Sequence, residues 1–146
     1  MQKEIILEIL AQNRTTCSYA FDKITNENSG WRLNEQTASV GFIYRHIGET
    51  MNLFGTFFGI PTDIQNTTMG QQDEGQLFDL NTSHTMVEKG YIMLTELIEG
   101  TSDSAWLDAI ETPFFGTVTR MRLFSHVLFH NSHHAGQISL ALSKGR

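Results

Sequence analysis

Apolar residues recur at intervals of three and four along four stretches of this chain, and no stretch alternates apolar and polar residues as a strand does. This spacing places side chains on one face of a helix, so it predicts four amphipathic helices and an all-α fold class. We expect the first helix over residues 2–25 and the second over residues 36–58, where Gly59-Ile60-Pro61 ends it. The inward face of the first helix is predicted to carry Ile6, Leu10, Asn13, Cys17, Phe21 and Ile24. The inward face of the second is predicted to carry Ile43, His46, Ile47, Thr50, Leu53, Phe54 and Phe57.

The other two helices lie in the second half of the chain. The third is expected over residues 82–99, with its cap at Asn81, Thr82 or Thr85 and with Gly100 as a stop. The fourth is expected to begin near Thr117 or Thr119 and to end at about Ser143. The sequence between them, residues 101–117, is interpreted as a connection.

The segment between the second and third helices, residues 60–81, is polar and long for a connection within one domain. A helix of twenty residues is about 30 Å long, and about ten extended residues cover that distance. The segment is therefore long enough to return along the molecule, as it must if helices two and three run parallel. This predicts a four-helix bundle with a long crossover between helices 2 and 3.

Composition limits the class of protein. The chain has 146 residues, 40% of them hydrophobic, and a net charge of −6, which suits a single globular domain spanning residues 1–146. Lysine and arginine are scattered, so we expect no nucleic-acid partner. The apolar stretches are short, and acidic residues interrupt the N-terminal one, so we expect no membrane partner and no secretory signal. Cys17 is the single cysteine. These features predict a cytoplasmic protein.

The fourth helix carries four histidines, and a helical wheel at about 100° per residue separates them. Its apolar arc is formed by Leu123, Phe124, Val127, Ile138, Ala141 and Leu142. His130 and His134 fall inside this arc, His126 lies at its edge, and His133 lies outside. On the second helix His46 also projects inward. The wheel therefore selects His46, His130 and His134 as an inward-facing set, whereas His84 has no comparable partner.

Two interpretations of this set remain open. Each imidazole could be a core histidine with a hydrogen-bond partner of its own, and each would cost about 1–3 kcal/mol if it lacked one. Alternatively, one divalent metal ion satisfies all three together. Three neutral imidazoles would leave a coordination position for water or substrate, which is the pattern of a catalytic site. Such a cation acidifies a water or a thiol beside it.

Three further residues are candidates near this set. Glu49 and Gln137 lie three residues after His46 and His134, and either could orient an imidazole, hold water or act in catalysis. The alternative for Glu49 is a solvated carboxylate at the helix edge, and for Gln137 a hydrogen bond between packed helices. Cys17 could be a fourth ligand, but a small buried core residue is the simpler interpretation.

Two apolar groups lie near the same helices. The rings of Phe54, Phe57 and Phe58 are most simply core, although their far end could line a pocket. Phe129, His133 and Leu140 form an outward stripe on the fourth helix, where we expect a subunit contact or cover by a connecting segment.

The sequence Thr37-Ala-Ser-Val-Gly-Phe-Ile-Tyr-Arg-His46 after Trp31, together with His130-x₃-His134-x-Gly-Gln137, resembles the DinB/YfiT-like superfamily over nearly the whole chain. The resemblance implies an up-down-down-up four-helix bundle, a homodimer, and a three-histidine divalent-metal site formed by His46, His130 and His134. Many members have arginine where this chain has Ala135. The wheel places that position away from the site, so we expect the change to affect an outer or subunit surface and not ligation.

The resemblance implies a site more specifically than a reaction. Relatives include thiol S-transferases that use low-molecular-weight thiols, and metal-dependent isomerases and hydrolases. We therefore expect a metal-dependent transferase or hydrolase that takes a low-molecular-weight thiol or another small molecule. Zinc or nickel is the expected metal, and iron or manganese would also accept imidazole. The alternative is a non-catalytic metal-binding bundle with a stress-response role.

Overall fold

Four long helices account for most of the chain in the computed structural model, which describes residues 2–146. They are α1 (Gln2–Phe21), α2 (Val40–Gly55), α3 (Leu80–Gly100) and α4 (Arg120–Lys144). Short 3-10 turns follow α2 at Thr56–Phe58 and α3 at Asp103–Leu107. The four predicted helices are thus confirmed. None of the helices in residues 2–146 is long and apolar enough to cross a bilayer.

A small β-hairpin corrects the all-α expectation. Strands β1 (Ala109–Thr112) and β2 (Gly116–Thr119) pair antiparallel, with Ile110 opposite Val118. Both of these side chains are buried against the helices. Each strand has four residues, too few for alternation to stand out in the sequence, so the segment looked like an ordinary connection. The mainly helical molecule therefore contains a two-stranded sheet immediately before α4.

Capping side chains explain where the helices begin. Ser39 Oγ accepts the Phe42 N–H at the start of α2, four residues after the predicted start at Gln36. Asp79 caps α3 by accepting the Thr82 N–H, so the predicted caps at Asn81, Thr82 and Thr85 were wrong. An ionised carboxylate is a strong acceptor at a helix N-terminus, which explains why Asp79 takes this role. Thr119 caps α4 by accepting the Arg122 N–H, so the helix begins beside one of the two starts that the sequence predicted.

Helix α2 is the most enclosed of the four, because α3, α4 and the following segment pack around it. Glycines allow the close approach of α2 and α3. A Cβ atom on Gly90 would lie 2.7 Å from Met51 Cβ, and one on Gly48 would lie 2.8 Å from Met86 Cβ. Since α2 is held this closely, its inward side chains have little freedom to move.

The predicted connection between α2 and α3 is present as residues 59–79, which have neither helix nor strand. It is not a free loop, because Ile64 and Thr68 are buried. Two further contacts fix its C-terminal half. Asp73 pairs with Arg32, and Phe78 lies under the guanidinium of Arg45. The segment therefore forms part of the covering of α2.

Candidate metal centre

Three histidines from two helices meet at one point. His46 comes from α2, and His130 and His134 come from successive turns of α4. Their ligand nitrogens all lie within 4.8 Å of one another, and His46 Nε2 is 2.9 Å from His130 Nε2. The structure thus brings together the three residues that the helical wheel selected.

The outer nitrogens of two of these rings have partners that set their protonation. His134 Nδ1 lies 2.6 Å from Gln137 Oε1. A carbonyl oxygen only accepts, so His134 carries its proton on Nδ1 and keeps a lone pair on Nε2. His46 Nδ1 lies 3.3 Å from Thr68 Oγ1, and that hydroxyl donates to Glu49 Oε2 at 2.6 Å. Both rings can therefore present Nε2 to a shared cation.

Glu49 is fully buried, with 0% of its surface exposed, so the solvated interpretation of this residue was wrong. Its carboxylate accepts hydrogen bonds from the backbone N–H groups and the hydroxyls of Thr67 and Thr68. The hydroxyl of Thr68 links it to His46, which Glu49 does not contact directly. Glu49 and Gln137 both act on the outer side of a ligand ring, and a catalytic role for either stays a prediction.

Burial favours the neutral form of all three imidazoles. Desolvation is the main cause that lowers the pKa of His46, to about 4, and that of His130, to about 2. Desolvation also lowers the pKa of His134, although its bond to Gln137 opposes the shift. The neighbouring imidazoles act in the same direction as burial for His46 and His130, because like charges repel. Neutral imidazole is the form that binds metal.

The three residues fit a divalent metal ion. Zinc binds histidine nitrogen at about 2.0–2.1 Å, which places the nitrogens of a tetrahedral site about 3.3 Å apart. The observed separations, 2.9 Å between His46 Nε2 and His130 Nε2 and no more than 4.8 Å within the set, bracket that value. His130 Nε2 faces His46 Nε2 at 2.9 Å, and a cation between the rings would take the lone pair of each nitrogen without requiring either of them to be protonated.

The remaining histidines lie outside this cluster, as the wheel predicted. His126 is half-buried and contacts the ring of Phe115, with centroids 4.6 Å apart. His133 is exposed, and His84 pairs with the hydroxyl of Tyr44 at 2.9 Å.

Two other sequence predictions concern residues near the centre. Cys17 is fully buried beside Asn13 and does not join the three histidines, which agrees with its interpretation as a core residue. Ala135 is also buried in the core, so the expectation that it lies on an outer surface was wrong. Position 135 falls on the buried side of α4, and a long charged side chain there would displace core atoms.

An aromatic cluster flanks the centre on the hairpin side. The hairpin tip places the ring of Phe114 in a parallel stack on Phe54, with centroids 5.6 Å apart, while Phe57 meets both edge-on. Phe115 covers His126, whose ring lies 6.2 Å from that of His130. Phe114 and Phe115 remain partly exposed, so they present an apolar wall to solvent beside the histidines.

The outward stripe of α4 is uncovered within residues 2–146. Phe129 is 78% exposed, and His133 and Leu140 are exposed as well. Cover by a connecting segment is therefore wrong, and a subunit contact stays a prediction.

Sequence reasoning missed Thr68 and the two hairpin phenylalanines. The length of the crossover predicted its path, but no periodicity in a polar segment indicates which residue reaches His46. The adjacent phenylalanines Phe114 and Phe115 are an apolar signal in the sequence, but the interpretation of residues 101–117 as a connection gave them no role.

Comparison with known proteins identifies a family for this chain. No curated protein matches the chain significantly. The model of the DinB family matches residues 1–145, which is essentially the whole chain. With its four helices and three converging histidines, this chain belongs to the DinB family.

Proposed function

We propose that this protein binds one divalent metal ion through His46, His130 and His134 and uses it as a metal-dependent enzyme, of the thiol S-transferase or hydrolase type. The observation that carries the proposal is the convergence of three neutral imidazole nitrogens within 4.8 Å. Zinc or nickel is the proposed metal, and the four helices are proposed to form an up-down-down-up bundle.

The donor set supports an open centre. All three ligands are neutral, so the charge of the cation is not compensated by its ligands, and the metal retains affinity for an anion. When bound, such a cation supplies Lewis acidity that favours deprotonation of a water or thiol held beside it. The protein's own contribution is to hold the rings, through Gln137 on His134 and through Thr68 on His46.

The surroundings support a substrate with an apolar part. The rings of Phe114 and Phe115 are partly exposed on the hairpin beside His126 and His130. An apolar group on an electrophile or ester would contact these rings while its polar end reached the centre. The nucleophile is proposed to be a low-molecular-weight thiol or water, in a cytoplasmic setting.

A second candidate function is a non-catalytic metal-binding protein with a stress-response role. The observation that favours it is that Gln137 bonds to the outer nitrogen of His134 and that the buried carboxylate of Glu49 is occupied by Thr67 and Thr68, so neither side chain is free to exchange protons with a substrate. In that case the metal stabilises the fold and no turnover occurs.

Activity screens distinguish the two functions. The metal-loaded protein is assayed with common bacterial thiols and a panel of electrophiles, and with esters and amides, before and after chelation. If the protein is an enzyme, we expect turnover that chelation abolishes. His130→Ala should lose this turnover, and His133→Ala should retain it. Metal binding with no turnover across the panel supports the non-catalytic function instead.

A further inference from the structure

We propose that Thr68 is a positioning residue of the metal centre, through which the buried carboxylate of Glu49 holds His46 in its metal-binding tautomer. The inference rests on the proposed metal binding and extends it from the two helices that supply ligands to the crossover segment. Thr68 is 2% exposed and lies between Glu49 and the outer nitrogen of His46.

The carboxylate of Glu49 fixes this part of the crossover. Glu49 Oε2 accepts the backbone N–H groups of Thr67 at 2.9 Å and Thr68 at 3.0 Å. It also accepts the hydroxyl of Thr68 at 2.6 Å, a short contact typical of a charge-assisted hydrogen bond. Three donors on one oxygen leave Thr68 with a single orientation relative to α2.

The number of protons then determines the tautomer of His46. A threonine hydroxyl has one proton, and Thr68 donates it to Glu49. The same oxygen lies 3.3 Å from His46 Nδ1, where it can only accept. His46 therefore carries its proton on Nδ1, and its Nε2 lone pair points toward His130 Nε2 at 2.9 Å. Hydrogen bonding of this kind orients a ligand ring and increases its basicity.

Thr67 provides a matched comparison within the chain. Its hydroxyl also donates to the carboxylate of Glu49, at Oε1, but it makes no hydrogen bond to His46 among the described residues, and Thr67 is exposed. Removing either hydroxyl costs Glu49 one hydrogen bond. Only removal of the Thr68 hydroxyl also removes the hydrogen-bond partner of His46. The two substitutions therefore separate the effect of anchoring the crossover segment from the effect of orienting the His46 ring.

The experiment compares Thr68→Val, Thr67→Val and Thr68→Ser with the unsubstituted protein. Zinc affinity is measured by competition with a chromophoric chelator, and urea unfolding in a chelator confirms that each variant folds. We expect Thr68→Val to weaken zinc binding about 10–100-fold. Thr67→Val and Thr68→Ser should keep the affinity of the unsubstituted protein, since both retain a hydroxyl at position 68.

A second readout does not depend on metal. Long-range proton–nitrogen correlation spectra of the chelated protein report which nitrogen of His46 is protonated. The inference expects the Nδ1–H form in the unsubstituted protein and in Thr67→Val, and a shift toward the Nε2–H form in Thr68→Val.

The outcomes are distinct. Absence of zinc binding in the unsubstituted protein overturns the proposed function and this inference with it. Equal affinities for Thr68→Val and Thr67→Val, or an Nε2–H form of His46 before any substitution, overturn the inference while leaving metal binding in place.

Discussion

His46 Nε2 and His130 Nε2 lie 2.9 Å apart although the two residues are separated by 84 positions in the chain. Two neutral imidazoles make this contact only when one nitrogen donates and the other accepts. The ring of His134 completes the group from one turn further along α4, with its centroid 4.4 Å from that of His130. The packing of α2 against α4 therefore brings together nitrogens that a divalent cation would share.

Substitution of Glu49 should destabilise the protein even without metal. Glu49→Ala would leave the backbone N–H groups of Thr67 and Thr68 without their acceptor, at a cost of about 2–4 kcal/mol in the free energy of unfolding. Urea unfolding in the presence of a chelator measures this loss in the free energy of unfolding. Glu88→Ala is the matched control, because Glu88 pairs with Arg14 at the surface and should cost less than about 1 kcal/mol. Equal costs for the two variants would show that Glu49 does not anchor the crossover.

Acidification should destabilise the chelated protein between about pH 6.5 and pH 4. Burial lowers the pKa of His46 from 6.5 to about 4. In this window His46 binds a proton in the unfolded chain but not in the folded state, so its contribution to the free energy of unfolding falls as the pH falls and levels off below its folded pKa. Urea unfolding at several pH values measures the slope, and His46→Gln should reduce it. A stability that rises on acidification through this window would contradict the burial of a neutral His46.

The contact between α2 and α3 can be tested at a glycine. Gly90→Ala places a Cβ atom 2.7 Å from Met51 Cβ, so one of the helices must shift and the free energy of unfolding should fall by about 1–3 kcal/mol. Gly136→Ala on α4 is the control. Its added Cβ would meet nothing within 4 Å, and alanine should stabilise the helix by up to about 1 kcal/mol. Thermal unfolding that ranks the two variants in the opposite order would argue against this packing.

The sequence predicted those parts of the molecule that follow from periodicity. Spacing of three and four located the helices, and the wheel on α4 separated His130 and His134 from His126 and His133. Periodicity does not describe contacts between a helix and an irregular segment. The sequence therefore favoured a solvated position for Glu49 at the edge of its helix. Nothing in residues 60–81 indicated that Thr68 would cover this carboxylate. Burial of that carboxylate depends on tertiary contacts with the crossover, which no local pattern specifies.

The exposed stripe of α4 predicts a homodimer. Phe129 is 78% exposed and shares this face of α4 with the exposed Leu140, and we predict that the two side chains contact a second copy of the chain. Phe129→Glu should convert a dimer to a monomer in light scattering. Leu77→Glu is the control, since Leu77 is 91% exposed and belongs to the crossover and not to the α4 stripe, and that variant should remain dimeric. A native protein that is already monomeric, or a dimer that persists with Glu at position 129, would exclude this contact.

Metal content tests the central claim most directly. The protein is purified without a histidine tag and analysed for its elements, alongside His130→Ala and the exposed-site control His133→Ala. We predict about one divalent ion per chain in the unsubstituted protein and in His133→Ala, and less than a tenth of that in His130→Ala. Added zinc at a hundredfold excess over its dissociation constant should stabilise the first two by about 2.7 kcal/mol. An unsubstituted protein that contains no divalent metal and gains no stability from added zinc, nickel, iron or manganese would contradict the account.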